Sequence, residues 1–349
     1  MLKQYSAKIM TEESLSLIQK WINNVPTIIL GSGASVPYKI PGMFDLGTYI
    51  KQNCEFDEIE DKIAFSSFVE KFDETEDLEA SLLEIKVTRN VVNTIVSKTW
   101  ECINNADLDA YDKILTSEYK LPLEDLLSHL IKTSDRKVSV ITTNYDRIVE
   151  YASSKINAYI NNTFTQNYIG KSNTSISRIL PANLYGYSGV VEILKVHGSL
   201  DWFKSQEDIK YQFPLRKTIP NSFIPSIVTP GVSKYEETHM EPYRTIFSKA
   251  DSVIESSKSF FCVGYGFNDS HFQPKLIDQI RNGKSIIVLA RTLTDKTKQS
   301  IIDNNCKNYF LFEKAGENQT RIYSSRFEEP IIEESNIWSF DEFINYVIK

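Results

Sequence analysis

Hydrophobic positions along the chain fall into two periods. Residues 11–23, TEESLSLIQKWIN, set Leu15, Ile18, Trp21 and Ile22 at helical spacing behind Thr11, with acids in the first turn. That pattern predicts a capped amphipathic helix. After Pro26 the pattern changes: Thr27–Leu30 is a short apolar, β-branched run that stops abruptly at Gly31-Ser32-Gly33-Ala34-Ser35. Lys137–Thr142, Val190–Val196, Ser259–Val263 and Ser285–Leu289 repeat the design, ending at Thr143-Asn144-Tyr145-Asp146, His197-Gly198, Gly264-Tyr265-Gly266 and Ala290-Arg291. Apolar runs bounded by turn residues predict strands covered on both faces, and most of these feed helical pattern, as a parallel sheet requires. Ligands of open α/β sheets sit outside the carboxyl ends of the strands, so the turns are expected to converge on one crevice.

Residues 53–132 differ in texture, being acidic, helix-forming and poor in glycine, which predicts a helical insertion or lid. Residues 159–188 are rich in Asn, Ser, Thr and Tyr and predict loop and irregular strand. After residue 305 the pattern weakens until Phe340–Ile348, a terminal helix. The expected fold class is therefore α/β: a Rossmann-like parallel sheet flanked by helices, formed by 1–52 and 133–305, with an inserted helical subdomain at 53–132 and a C-terminal extension at 306–349.

Composition narrows the function. With 349 residues, 41% of them hydrophobic and 24% charged, the chain can bury a full core. A net charge of −7 provides no overall positive field for phosphate backbones or anionic lipid, so direct nucleic-acid and membrane binding are not expected. No run approaches the length of a membrane span and the N-terminus lacks a signal-peptide core, so a cytoplasmic protein is expected. Cys54, Cys102, Cys262 and Cys306 are far apart and form no C-x-x-C pair, so they are expected to be buried thiols, with neither a disulfide framework nor a metal site.

Candidate chemistry sits on the turns. Gly31, Gly33, Ala34 and Ser35 follow a strand, as a diphosphate cradle would, but Pro37 stands where the dinucleotide fingerprint approaches its third glycine, which disfavours an ordinary dehydrogenase. Asn144 offers a donor and an acceptor for a ribose or a water, and Asp146 can cap the next helix or hold the ribose environment; capping alone would equally explain both. His197, directly before a glycine at a strand end, suits a general base, with a satisfied structural histidine as the plain alternative. His129 falls on the apolar helical face of Leu126–Leu130 and is expected to be structural, while His239 and His271 stay open. Gly264, Gly266, Phe267 and Asp269 form a further turn, with Asp269 as N-cap of the helix after it.

In this order the motifs resemble the sirtuin (silent information regulator-like) family, in particular bacterial members that degrade NAD. Gly31-Ser32-Gly33-Ala34-Ser35 is similar to the family's G-A-G-x-S, Thr142, Asn144 and Asp146 to its T-Q-N-x-D, His197-Gly198 to its H-G, and Gly264, Gly266 and Asp269 to its late glycine turn. Ile40-Pro41-Gly42-Met43-Phe44-Asp45 keeps only part of the family's G-I-P-x-F-R loop and lacks its arginine, and Ala290-Arg291 replaces a common Ile-Asn. No cysteine occurs between Leu200 and Phe261, so the paired-cysteine zinc module of protein-deacylating members is not expected. The resemblance implies an NAD hydrolase that releases nicotinamide and ADP-ribose, with Asn144 and His197 catalytic. Gly31, Gly33, Ala34, Ser35, Asp146, Gly264, Gly266, Phe267, Asp269 and Arg291 would hold NAD. It further implies NAD depletion in antiphage defence (abortive infection) and control by homo-oligomerisation or by a partner such as a hexameric ATPase translocase. A protein deacylase and a non-catalytic NAD or ADP-ribose sensor are the rival expectations.

Overall fold

The computed structural model describes residues 10–83, 88–173, 185–229, 240–269 and 271–349. Thr11 caps α1 (Glu12–Asn23) by accepting the Ser14 amide, and Ile18, Trp21 and Ile22 form its buried face. The five apolar runs become β1 (Thr27–Leu30), β2 (Lys137–Thr142), β5 (Val190–Lys195), β9 (Ser259–Val263) and β10 (Ser285–Ala290). With β3 (Tyr159–Asn161), β11 (Tyr309–Gly316), β12 (Gln319–Ser324) and β13 (Ile331–Glu333) they build a sheet in the order β13-β12-β11-β10-β9-β1-β2-β5-β3. The strands from β11 to β3 pair in parallel, and β12 and β13 add an antiparallel edge.

Alternate residues of each strand enter different cores, which is why these strands show no polar alternation. Ile28, Phe261, Ile287 and Phe310 face one cluster, while Ile29, Cys262, Val288 and Leu311 face the other. The first core is covered by α1, α6 (Pro122–Leu130), α7 (Ile148–Lys155) and the terminal α10 (Phe340–Val347); the second is covered by α8 (Tyr243–Ser256) and α9 (Gln273–Arg281). The fold is thus a Rossmann-like α/β fold. Its chain runs outward from β1 through β2 to β5, then returns to β9 on the other side of β1, so the switch point lies between β1 and β9.

Two boundaries fall elsewhere than the sequence pattern suggests. The helical block begins with α2 (Met43–Asn53) and continues through α3 (Ile59–Thr75), α4 (Leu78–Leu83), the 27-residue α5 (Arg89–Leu115) and α6. Gly47 of α2 touches Phe72 of α3, so this helix belongs with the block rather than with the sheet. Residues 309–333, expected as an extension, are part of the main sheet, because Tyr309–Phe312 is one more buried apolar run that pairs with β10. A second sheet, β4-β7-β6-β8, comprises Gly170–Lys171, Lys210–Gln212, Gly198–Lys204 and Ile224–Ile227. It carries the chain away from His197, and α5 packs against its β6, where the Trp100 indole donates to the Leu200 carbonyl over 2.7 Å.

Candidate active site

The turns after β1, β2, β5 and β9 meet at the carboxyl edge through backbone hydrogen bonds. The Gly31 amide donates to Val263 O, the Thr143 amide to Leu30 O, the Val196 amide to Thr142 O and the Leu200 amide to Tyr145 O, all between 3.1 and 3.2 Å. Glycine is required where the first and fourth turns cross. Gly264 has φ +59°, and a Cβ there would lie 2.2 Å from the Ala34 amide nitrogen; one on Gly31 would lie 2.4 Å from Gly264 O. The amides of Gly31, Gly33, Ala34 and Ser35 are spent on the carbonyls of Val263, Gly264, Gly31 and Ser32. The small residues of the first turn therefore serve contact between turns, and these four amides are not aimed outward at an anion.

Asn144 is half-buried at the centre of this junction. Its Nδ2 donates to Gly31 O (2.9 Å) and to Ser35 Oγ (3.0 Å), and Ser35 Oγ donates in turn to Asp146 Oδ2 (2.7 Å). The carbonyl of Gly31 can only accept, so the amide cannot flip, and Oδ1 is left as the unspent acceptor of the group. Asp146 Oδ1 accepts the amide of Ile148 (3.2 Å), the first residue of α7, so Asp146 ties the start of that helix to Ser35, while Arg147 holds the N-cap position. Burial raises the pKa of Asp146 above the usual carboxylate range, and Lys195 opposes that shift.

Lys195 was not among the residues singled out by sequence. It is fully buried, donates to Asp146 O and pairs with Glu150 at 3.2 Å. Burial pushes Glu150 up to about 7, with Lys195 pulling it down and Asp201 adding to the rise. The available signal was a lysine in register with Val191 and Ile193 on an apolar strand. Also missed was the clamp behind the turn, where Arg147 forks onto Asp107 of α5 at 2.6 and 2.9 Å and reaches Asn104 at 2.8 Å.

His197 stands on the neighbouring turn, and Gly198 after it has φ +87° with Ser226 O 2.2 Å from where a Cβ would be. His197 Nε2 lies 2.6 Å from Asp269 Oδ2, an ion-pair distance without hydrogen-bond alignment. Asp269 Oδ1 accepts the amides of His271 (2.9 Å) and Phe272 (3.2 Å), so it caps the turn leading into α9 while facing the imidazole. The structure therefore groups Asn144, Ser35 and Asp146 on one side and His197 and Asp269 on the other, with no direct contact between Asn144 and His197 among the described residues. Behind Asn144, a cavity with room for about one water is lined by Leu30, Tyr38, Leu123, Val149 and Phe340. A dinucleotide would have to lie along the rim of the turns, because this cavity is too small for it.

The remaining candidates are placed as follows. Gly266 accepts the Thr294 hydroxyl (2.6 Å), which ties the turn after β9 to the turn after β10. Phe267 has φ +55° and a fully buried ring 5.0 Å from Tyr265, so only its backbone can meet a ligand. Arg291 is exposed at the end of β10. His129 lies off the buried face of α6 and shares a hydrogen bond with Asn23 (2.8 Å); its pKa is lowered by burial and by Lys132. His271 is exposed, and His239 lies outside the described residues. Cys54, Cys262 and Cys306 are buried and Cys102 is half-buried, and burial raises all four thiols. No helix among the described residues is long and apolar enough to cross a membrane.

Residues 138–306 match the family model described as a SIR2-like domain, covering β2 through the turn before β11. Curated proteins give no match by sequence. Among solved structures, a Sir2 homologue mutant in complex with ADP-ribose is 13% identical, covers 97% of this chain and 96% of its own, and has a TM-score of 0.47. A Sir2 homologue–NAD complex is 13% identical over 98% of this chain and 96% of that one, TM-score 0.46. Sir2Tm bound to a propionylated peptide is 12% identical over 80% and 88%, TM-score 0.40.

Proposed function

We propose that the chain is an NAD glycohydrolase: it breaks the bond between nicotinamide and ribose and passes the ribose to water, giving nicotinamide, ADP-ribose and a proton. The observation that carries this reading is the fixing of Asn144, whose two donors are spent on Gly31 and Ser35 so that Oδ1 is its remaining acceptor. Departure of nicotinamide with the bonding electron pair leaves an oxocarbenium-like ribose. A fixed carbonyl dipole beside that carbon favours the developing cation and can hold a water by one of its protons with the lone pair toward it. His197 would take the proton released from the water or from a ribose hydroxyl, and Asp269 at 2.6 Å would stabilise the imidazolium formed.

Hydrolysis is favoured over deacylation because residues 200–261 hold no cysteine for the zinc module of the deacylating relatives. By the same resemblance, the reaction would deplete NAD during bacteriophage infection, restrained by self-association or by a partner ATPase translocase. The test is incubation of the purified protein with NAD, with and without an acetylated peptide, followed by chromatography. Nicotinamide and ADP-ribose in equal amounts without peptide are expected. Turnover only with peptide would make it a deacylase, and tight binding with no nicotinamide would make it a sensor.

A further inference from the structure

Asn144 and His197 stand on the β2 and β5 turns, on one side of the switch point. If they take the reacting ribose, the other end of a dinucleotide crosses the glycine junction and falls on the β9–β10 side. There the loop after β10 packs on the Gly266 turn through Thr294, and the Lys314 amide donates to Arg291 O, so Arg291 is fixed at the strand end. In Rossmann-type folds a free adenosine ribose is held by a carboxylate, whereas an arginine accommodates a 2′-phosphate.

The carboxylate at this corner is already occupied. Glu313, 4% exposed, accepts the Leu293 amide (3.1 Å), the Tyr323 hydroxyl (2.7 Å) and Arg321 (3.2 Å), and pairs with Lys298 at 3.6 Å. Arg291 and Thr292 are exposed side by side, and their side chains make no hydrogen bond or ion pair with any described residue. The short helix Asp295–Lys298 follows, with Lys296 exposed as a further positive charge and Asp295 exposed as its one acid.

We infer that the crevice prefers a nicotinamide dinucleotide bearing a 2′-phosphate on its adenosine ribose, with Arg291 as the residue that distinguishes it from the free diol. A planar, doubly donating guanidinium suits a dianionic phosphate and offers a diol no acceptor, so a diol at these two side chains would find one only in the Thr292 hydroxyl. The inference rests on the reading of the turns as a dinucleotide site, but not on which product is released.

Two measurements test it on the full chain. Calorimetric titration with 2′-phospho-ADP-ribose and with ADP-ribose reads binding without turnover, and kcat/KM for NADP and NAD reads the reaction. Wild type is expected to favour the phosphorylated member of each pair, and Arg291→Ala to lower that preference about ten- to hundredfold, the range for charge-assisted hydrogen bonds. Arg291→Lys should restore part of it. Equal or stronger binding of ADP-ribose, as a hydrogen bond from the diol to Asp295 would give, overturns the inference and leaves hydrolysis standing. So does a preference that Arg291→Ala leaves unchanged. Discrimination in binding with no cleavage of either dinucleotide keeps the inference and removes the proposed hydrolase. Failure to bind either ligand removes the inference.

Discussion

Asn144 acts through what holds it. Its chain of donors runs from Nδ2 to Ser35 Oγ and on to Asp146, so each hydroxyl and carboxylate fixes the atom before it. Asn144→Ala and His197→Ala are each expected to lower nicotinamide release about 10²- to 10⁴-fold with the fold intact, measured by initial rates alongside circular dichroism. Ser35→Ala should reduce kcat by less, because Gly31 O still holds one proton of the amide. Full activity in either Asn144→Ala or His197→Ala removes the proposed assignment. A second residue-scale effect concerns Glu150, which titrates near 7 in the fold against a usual 4.5. Between those values the native state keeps a proton that the unfolded chain has released. Its stabilising contribution is thus complete below about 4.5 and lost as pH rises through about 7, on the order of 3 kcal/mol in all. Glu150→Gln should flatten the fall in stability between pH 4.5 and about 7 in urea titrations; an unchanged slope would contradict the burial argument.

At the scale of elements, α5 is joined to the Asn144 turn by charge. Asp107, fully buried, accepts from Arg147 through its backbone amide and guanidinium and from the Tyr151 hydroxyl. Arg147 follows Asp146 directly, so the helical block grips the same turn that presents Asn144. Asp107→Ala would strand a buried guanidinium, and a loss of about 3–5 kcal/mol is expected from chemical denaturation. Removing both partners, Asp107→Leu with Arg147→Met, should cost less than Asp107→Ala alone, since a buried pair replaced by apolar groups leaves no unpaired charge. The crossing of the first and fourth turns is the other rigid element. Gly264→Ala places a methyl group 2.2 Å from Ala34 N at φ +59°, so it should lower the Tm by several degrees, read by thermal melts.

On the scale of the whole molecule, one sheet with its switch point between β1 and β9 gathers turns from residues 31 to 294 along a single edge. The helical block packs on one face of that sheet, and the strands after 305 extend its edge. The proposed hydrolase is expected to be controlled by association. Gel filtration coupled to light scattering, with activity assayed across the peak, is expected to show an oligomer whose dilution alters turnover. A monomer of undiminished and concentration-independent activity would set that aside.

Five strands of the main sheet, their order of appearance and the turns that end them were legible in the residue pattern, because a strand covered on both faces must be an unbroken apolar run and must stop where the chain turns to solvent. It also determined α1 and its cap, which depend on neighbours three and four positions away. It did not disclose Lys195 against Asp146, Arg147 on Asp107 or Asp269 against His197, whose partners lie between 40 and 72 positions apart, and it hid the last sheet strands behind a weaker pattern. Which carboxylate neutralises which buried cation, and whether a glycine serves a ligand or the backbone crossing it, was decided only by tertiary packing. Those choices depend on distances between separate elements, and no local periodicity encodes them.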